Sequence, residues 1–154
     1  MAITTGAKGY KFRACARVAN LSLAAFNARL YLAWQQPSNI YFASMGQNSD
    51  WSGATEIPGM PTTGSSPSLA VFNGKLYMAW TGVMQYGRIH FSSMDSNGGW
   101  SAPTSFLIPG QTQRSPALAR FNNCLYNVCS GNPNAPDFDG ICYSYYPCAE
   151  NRGF

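Results

Sequence analysis

SPSLAVFNGKLYMAWTGVMQYGRIHFSSMDSNGGW, residues Ser66 to Trp100, divides into three strand-like runs separated by turns. The runs are Ser68–Phe72, Lys75–Trp80 and Arg88–Ser93. Asn73-Gly74 lies between the first two. Asn-Gly between alternating apolar runs is a strong hairpin signal, because both central residues of the tight turn take positive φ. The third run ends in Ser93-Met94-Asp95-Ser96-Asn97-Gly98-Gly99-Trp100, and a fourth run follows in SAPTSFLIPG, residues 101–110. The stretch therefore reads as one four-stranded antiparallel unit.

The unit repeats. Phe26-Asn27-Ala28-Arg29-Leu30-Tyr31 matches Phe72-Asn73-Gly74-Lys75-Leu76-Tyr77, and both match Phe121-Asn122-Asn123-Cys124-Leu125-Tyr126, at offsets of 46 and 49 residues. Ile40-Tyr41-Phe42 matches Ile89-His90-Phe91 and Ile141-Cys142-Tyr143. Trp51-Ser52 matches Trp100-Ser101, and Ile57-Pro58-Gly59 matches Ile108-Pro109-Gly110. Four strands on a period near 48 residues are the pattern of β-propeller blades. The expected fold is all-β: one domain of three four-stranded antiparallel blades, at about residues 20–63, 64–112 and 113–154. The third lacks a fourth strand. Residues 10–19, YKFRACARVA, read as a spare strand that would complete the third blade of its own chain or of a partner copy.

Composition narrows the classes. The chain has 154 residues, which suits one domain. Charged residues make up 10%, well below the average of about 25%, so solubility rests on Ser, Thr, Asn, Gln and Gly. The net charge is +4, but the basic residues are scattered singly, which argues against a phosphate-tracking surface and against nucleic-acid binding. No apolar run reaches the ~20 residues of a spanning helix. MAITTGAKGYKF does not read as a signal peptide, so the compartment is left open, with an extracellular one in view from the polar β-rich composition.

Cys15, Cys124, Cys129, Cys142 and Cys148 form no CxxC and no metal pattern, and no cofactor is expected. Cys129 and Cys142 fall on adjacent antiparallel strands, and Cys15 falls on the spare strand beside the segment carrying Cys148. At least one of these two pairs is expected within disulfide reach, with Cα atoms inside about 7 Å.

Ser93 to Trp100 resembles the Asp-box, S-x-D-x-G-x-T-W, of sialidases and related propellers. Ser93, Asp95 and Trp100 match, while Asn97 and Gly99 stand where Gly and Thr are usual. The first blade keeps Ser44 and Trp51 with Gly46 in place of the acid, and the third loses the motif. The resemblance implies a folded hairpin whose Asp accepts backbone hydrogen bonds, which is Asx-turn chemistry. Arg114-Ser115-Pro116-Ala117-Leu118-Ala119 is similar to the sialidase R-I-P-A-L-A segment, and implies a carboxylate-binding role for Arg114 alone. The remaining sialidase machinery is not matched. That machinery comprises two further arginines, a Tyr with a Glu partner, an acidic proton donor and a ring of about six blades.

Five residues are candidates for ligand contact. Trp34 and Trp80 end the Leu-Tyr-x-Ala-Trp runs and could stack on the apolar face of a sugar, or pack between blades. Tyr41 and His90 occupy one equivalent position on the third strand, and Arg114 leads into the third blade. The Asp137-Phe138-Asp139-Gly140 loop reads as a turn, since two carboxylates are too few for a calcium shell. The connection between second and third strands grows from blade to blade, a place where repeat proteins often carry function.

These features point to a carbohydrate-binding, lectin-like propeller without catalysis, with a glycan as partner. Two alternatives remain: a sialidase-like glycoside hydrolase assembled from several chains or left as a fragment, and a structural or protein-binding propeller. Three blades leave two apolar faces uncovered, so a homodimer forming a six-bladed ring is expected.

Overall fold

The computed structural model describes residues 19–57, 59, 65–82, 88–107, 114–131 and 140–146. Among them there is no helix. Blade one holds β1 (Ala19–Phe26), β2 (Arg29–Gln36), β3 (Asn39–Gly46) and β4 (Thr55–Glu56), hydrogen-bonded in that order. Blade two holds β5 (Ser68–Phe72), β6 (Lys75–Thr81), β7 (Arg88–Met94) and β8 (Thr104–Leu107) in the same order. The third sheet holds β9 (Ala117–Phe121), β10 (Cys124–Ser130) and β11 (Ile141–Tyr146). All pairings are antiparallel. The all-β propeller-blade architecture expected from the repeat is the observed one. The spare strand proposed at 10–19 lies outside the described residues except for Ala19, where β1 begins.

The inner hairpins close as the turn chemistry requires. Asn73 and Gly74 have φ of 48° and 70°, and Asn122 and Asn123 have 44° and 58°. Asn27 and Ala28 take the same shape at 47° and 55°, so Ala28 is an alanine held in the left-handed region.

The three sheets stack through their first strands, with β1 beside β5 and β5 beside β9. Serine hydroxyls tie these strands together at repeat-equivalent places. Ser22 Oγ accepts the Leu69 N–H at 3.0 Å, and Ser68 Oγ accepts the Leu118 N–H at 2.9 Å. Blade three carries Ala117 at the equivalent position, which has no hydroxyl.

Alternation along the strands sends each blade's apolar residues into the spaces between sheets. Seam one, between blades one and two, buries Phe26, Ala33 and Ile40 of blade one against Leu69, Leu76, Met78, Trp80 and Met94 of blade two. Seam two, between blades two and three, is smaller: Ala79 and Ile89 meet Cys129 and Cys142, with Phe91 and Leu118 packed alongside. The remaining outer faces expose Leu21 and Leu23 on blade one, and Phe121, Ile141, Tyr143 and Tyr145 on blade three.

The β7–β8 hairpin forms the expected Asx turn. Asp95 Oδ1 accepts the Asn97 N–H at 2.8 Å, and its carbonyl accepts the Gly98 N–H at 3.2 Å. Met94 and Trp100 bridge across the hairpin, as do Met45 and Trp51 in blade one. Trp100 packs edge-on to Phe42 of blade one, ring centroids 6.1 Å apart. It is therefore part of seam one.

Cys129 and Cys142 are register partners on β10 and β11, as the strand assignment required. Antiparallel partners place their Cα atoms about 4.5–5.5 Å apart, within disulfide reach. Both are buried thiols. Burial and the neighbouring Cys142 push the Cys129 thiol up to about 12. Cys124 is disulfide-bonded, a bond the sequence reading did not place, and its partner lies outside the described residues. Cys15 and Cys148, the second expected pair, also lie there.

Candidate functional site

The meander puts the ends of β2, β6 and β10 and the starts of β3, β7 and β11 at one end of the blades. All five candidate residues fall at that end. Most of its longer connections, including Asp137 to Asp139, are outside the described residues.

Register pairing brings the candidates together two by two. On blade one, Trp34 pairs with Tyr41, their rings stacked at 6.1 Å and 20°. On blade two, Trp80 pairs with His90, stacked at 5.6 Å and 21°. The equivalent pair in blade three is Cys129 and Cys142. One cross-strand position thus carries Trp–Tyr, Trp–His and Cys–Cys in turn. Non-covalent ring stacking in two blades is replaced by a dithiol in the third.

Both tryptophans are fully covered, at 0% exposure. Trp80 belongs to the seam-one cluster, so its ring packs between blades. Trp34 Nε1 donates to Gln36 Oε1 at 3.2 Å, which fixes the indole against its own strand end. His90 is only 4% exposed. Burial and the nearby Arg88 guanidinium hold its imidazole below the ordinary value, favouring the neutral form. Trp80 Nε1 and His90 Nε2 are both buried with no hydrogen-bond partner among the described atoms.

Tyr41 has the open position. Its hydroxyl donates to Glu56 Oε2 at 3.0 Å, and Asn39 Nδ2 donates to Glu56 Oε1 at 3.0 Å. Tyr41 and Glu56 are cross-strand partners on β3 and β4. The hydrogen bond to the Glu56 carboxylate raises the Tyr41 pKa, so the ring stays a phenol. The cluster Asn39–Tyr41–Glu56 presents amide, phenol and carboxylate groups at the surface, with the Tyr41 ring stacked on the covered Trp34 indole. Sequence reasoning named Tyr41 but missed Glu56 and Asn39. The signal available was the strand register, which pairs residue 41 with 56.

Arg114 is exposed in the segment leading into β9. Ser115 beside it accepts the Ser66 N–H at 3.1 Å, tying this segment to the entry of blade two. At the same entry, Ser65 Oγ accepts the Thr81 N–H at 3.1 Å and bonds the Thr81 hydroxyl. Among the described residues no group of His, Cys, Asp and Glu could hold a metal ion.

Comparison with known proteins shows what the fold is similar to. No family model matches the chain, and no curated protein matches it in sequence. Solved structures do match. A GH43 β-xylosidase/α-arabinofuranosidase from a compost microbial metagenome, in complex with xylotriose, is 20% identical at a TM-score of 0.53, over 74% of this chain and 42% of that one. The xylan β-1,4-xylosidase of Bacillus halodurans is 17% identical at a TM-score of 0.62, over 86% of this chain and 30% of that one. The GH43_1 enzyme of Xanthomonas citri complexed with xylose is 17% identical at a TM-score of 0.54, over 75% and 40%. The likeness is one of fold, and the chain spans less than half the length of each of these structures.

Proposed function

We propose that the chain is a carbohydrate-binding propeller module that acts without catalysis and takes a glycan at the end bearing Tyr41 and Arg114. The observation that carries the reading is the exposed Asn39–Tyr41–Glu56 hydrogen-bonded cluster, in which the Tyr41 ring is the aromatic member. Oriented amide, phenol and carboxylate groups around an accessible tyrosine are the chemistry that recognises sugar hydroxyls. The likeness of fold to enzymes solved in complex with xylotriose and with xylose agrees with it.

The hydrolase alternative draws support from the same Tyr–Glu pair, which a sialidase-like mechanism would require. Against it, Asp95 is engaged in a hairpin turn and the rest of the sialidase machinery is not matched in the sequence. The Asp-box reading of that hairpin stands on its residues and its Asx turn. An extracellular setting agrees with the disulfide at Cys124.

A glycan array run beside fluorogenic sialoside and aryl-xyloside assays tests the proposal. Saccharide binding that falls in Tyr41→Phe and Glu56→Gln, with no hydrolysis of either substrate, is expected. Turnover, or an empty array, would overturn it. The apolar outer faces of blades one and three are further proposed to meet those of a second copy in a closed ring. Light scattering should then give a mass near twice 16.7 kDa.

A further inference from the structure

The outer rim of seam two is open where that of seam one is filled. In seam one, Met78, Met94 and Trp100 of blade two pack against blade one, with Trp100 on Phe42. The repeat puts Asn127 where Met78 stands, Tyr146 where Met94 stands and Phe91 where Phe42 stands. No described residue of blade three takes the place of Trp100.

The space so left is a cavity of about 170 Å³ lined by Phe91, Leu125, Asn127, Ser144, Tyr145 and Tyr146. It shares Phe91, Leu125 and Tyr146 with a neighbouring cavity of about 250 Å³, whose wall adds Lys75, Tyr77 and a row of hydroxyls. The Tyr77 and Tyr146 rings face each other across the two blades at 6.1 Å.

Asn127 is the polar group at the back. It is 2% exposed, and its Nδ2 reaches Ser144 Oγ at 3.5 Å. Its Oδ1 is buried with no hydrogen-bond partner. A buried acceptor without a donor is costly, and its presence in a cavity calls for a donor from outside. A cavity of about 150 Å³ accepts a six-membered ring in another protein. The apolar walls disfavour an ionised ligand.

We propose that this rim is a second saccharide site, separate from the Tyr41 end, which takes one neutral pyranose. A hydroxyl of the ring donates to Asn127 Oδ1, and its C–H face lies on Tyr146 and Phe91. The site exists because a methionine and a tryptophan of the repeat are missing from this seam, not because residues were added to it.

An amide NMR titration of the full chain with methyl β-D-xylopyranoside and methyl β-D-glucopyranoside tests this. At least one glycoside should give saturable shifts at Phe91, Leu125, Asn127 and Tyr146, including the Asn127 side-chain amide, with Kd on the order of 1 mM for so small a ligand. Asn127→Met, which restores the seam-one residue, should abolish those shifts and raise the melting temperature. Tyr146→Ala, at an exposed position, should weaken them at least several-fold and guards against a misfolded Met variant. Shifts at Tyr41 and Glu56 report the other site independently. Absence of shifts around Asn127 at saturating glycoside, or their survival in Asn127→Met, would overturn the proposal.

Discussion

Seam one and seam two are built by the same repeat and yet differ in kind. The backbone reproduces itself: equivalent hairpins, equivalent registers, and equivalent serine-to-amide hydrogen bonds at 3.0 and 2.9 Å. The side chains between the sheets do not. Seam one is filled by Trp80, Met78, Met94 and Trp100, whereas seam two has two thiols, an asparagine with an unpartnered oxygen, and a cavity. A propeller repeat thus secures the geometry of each sheet through backbone bonding and turn chemistry, and leaves the spaces between sheets free to diverge. In such a chain, cavities with one buried polar group in an apolar wall arise between blades where large apolar residues have been replaced.

The contrast can be broken first at the cross-strand position that carries Trp80 in one seam and Cys129 in the other. Trp80→Ala should cost roughly 3–5 kcal/mol in urea denaturation, because it opens a large cavity in a packed seam. Cys129→Ala should cost roughly 1 kcal/mol. Equal losses would show that the two seams contribute alike. A smaller and symmetric effect is expected from the serines. Ser22→Ala and Ser68→Ala each leave an amide without its acceptor and should each cost about 1 kcal/mol. If only one of them does so, the inner strands are not held equivalently.

The gentlest probe is pH, which addresses a base in seam one and an acid in seam two. His90 is held below its ordinary 6.5, so the folded state binds fewer protons there than the unfolded chain. Its contribution is present above 6.5 and is lost as pH falls through the folded value. Cys129 is raised from 9.0 to about 12, so its contribution is present below 9.0 and is lost as pH rises toward 12. Thermal melts should therefore be flat between these limits. His90→Gln should flatten the acid side, and Cys129→Ala the alkaline side. Unchanged slopes in the variants would show that neither group is buried as described.

Much of this was legible in the sequence, and the reasons are local. Asn73-Gly74 and Asn122-Asn123 announce positive φ, and the alternating runs beside them can only be strands that share a register. That register also placed Cys129 opposite Cys142. What was not legible depends on neighbours in the stack. Trp80 reads as packing between blades or, less readily, as a sugar platform until the face it covers is known, and blade one supplies that cover. Glu56 carries no motif and acquires its meaning only beside Tyr41. Asn127 looks like an ordinary polar strand residue, and its interest comes from the residue its equivalents hold, Met78 and Leu32. The disulfide of Cys124 followed from no spacing.

Native-state hydrogen exchange at two amides bears most directly on the difference between the seams. Leu69 N–H and Leu118 N–H make equivalent bonds to serine hydroxyls, one in each seam, so their difference reports the packing around them. Leu69, in the filled seam, should exchange at least tenfold more slowly than Leu118, corresponding to about 1.4 kcal/mol in opening free energy. Equal protection, or slower exchange at Leu118, would contradict the account.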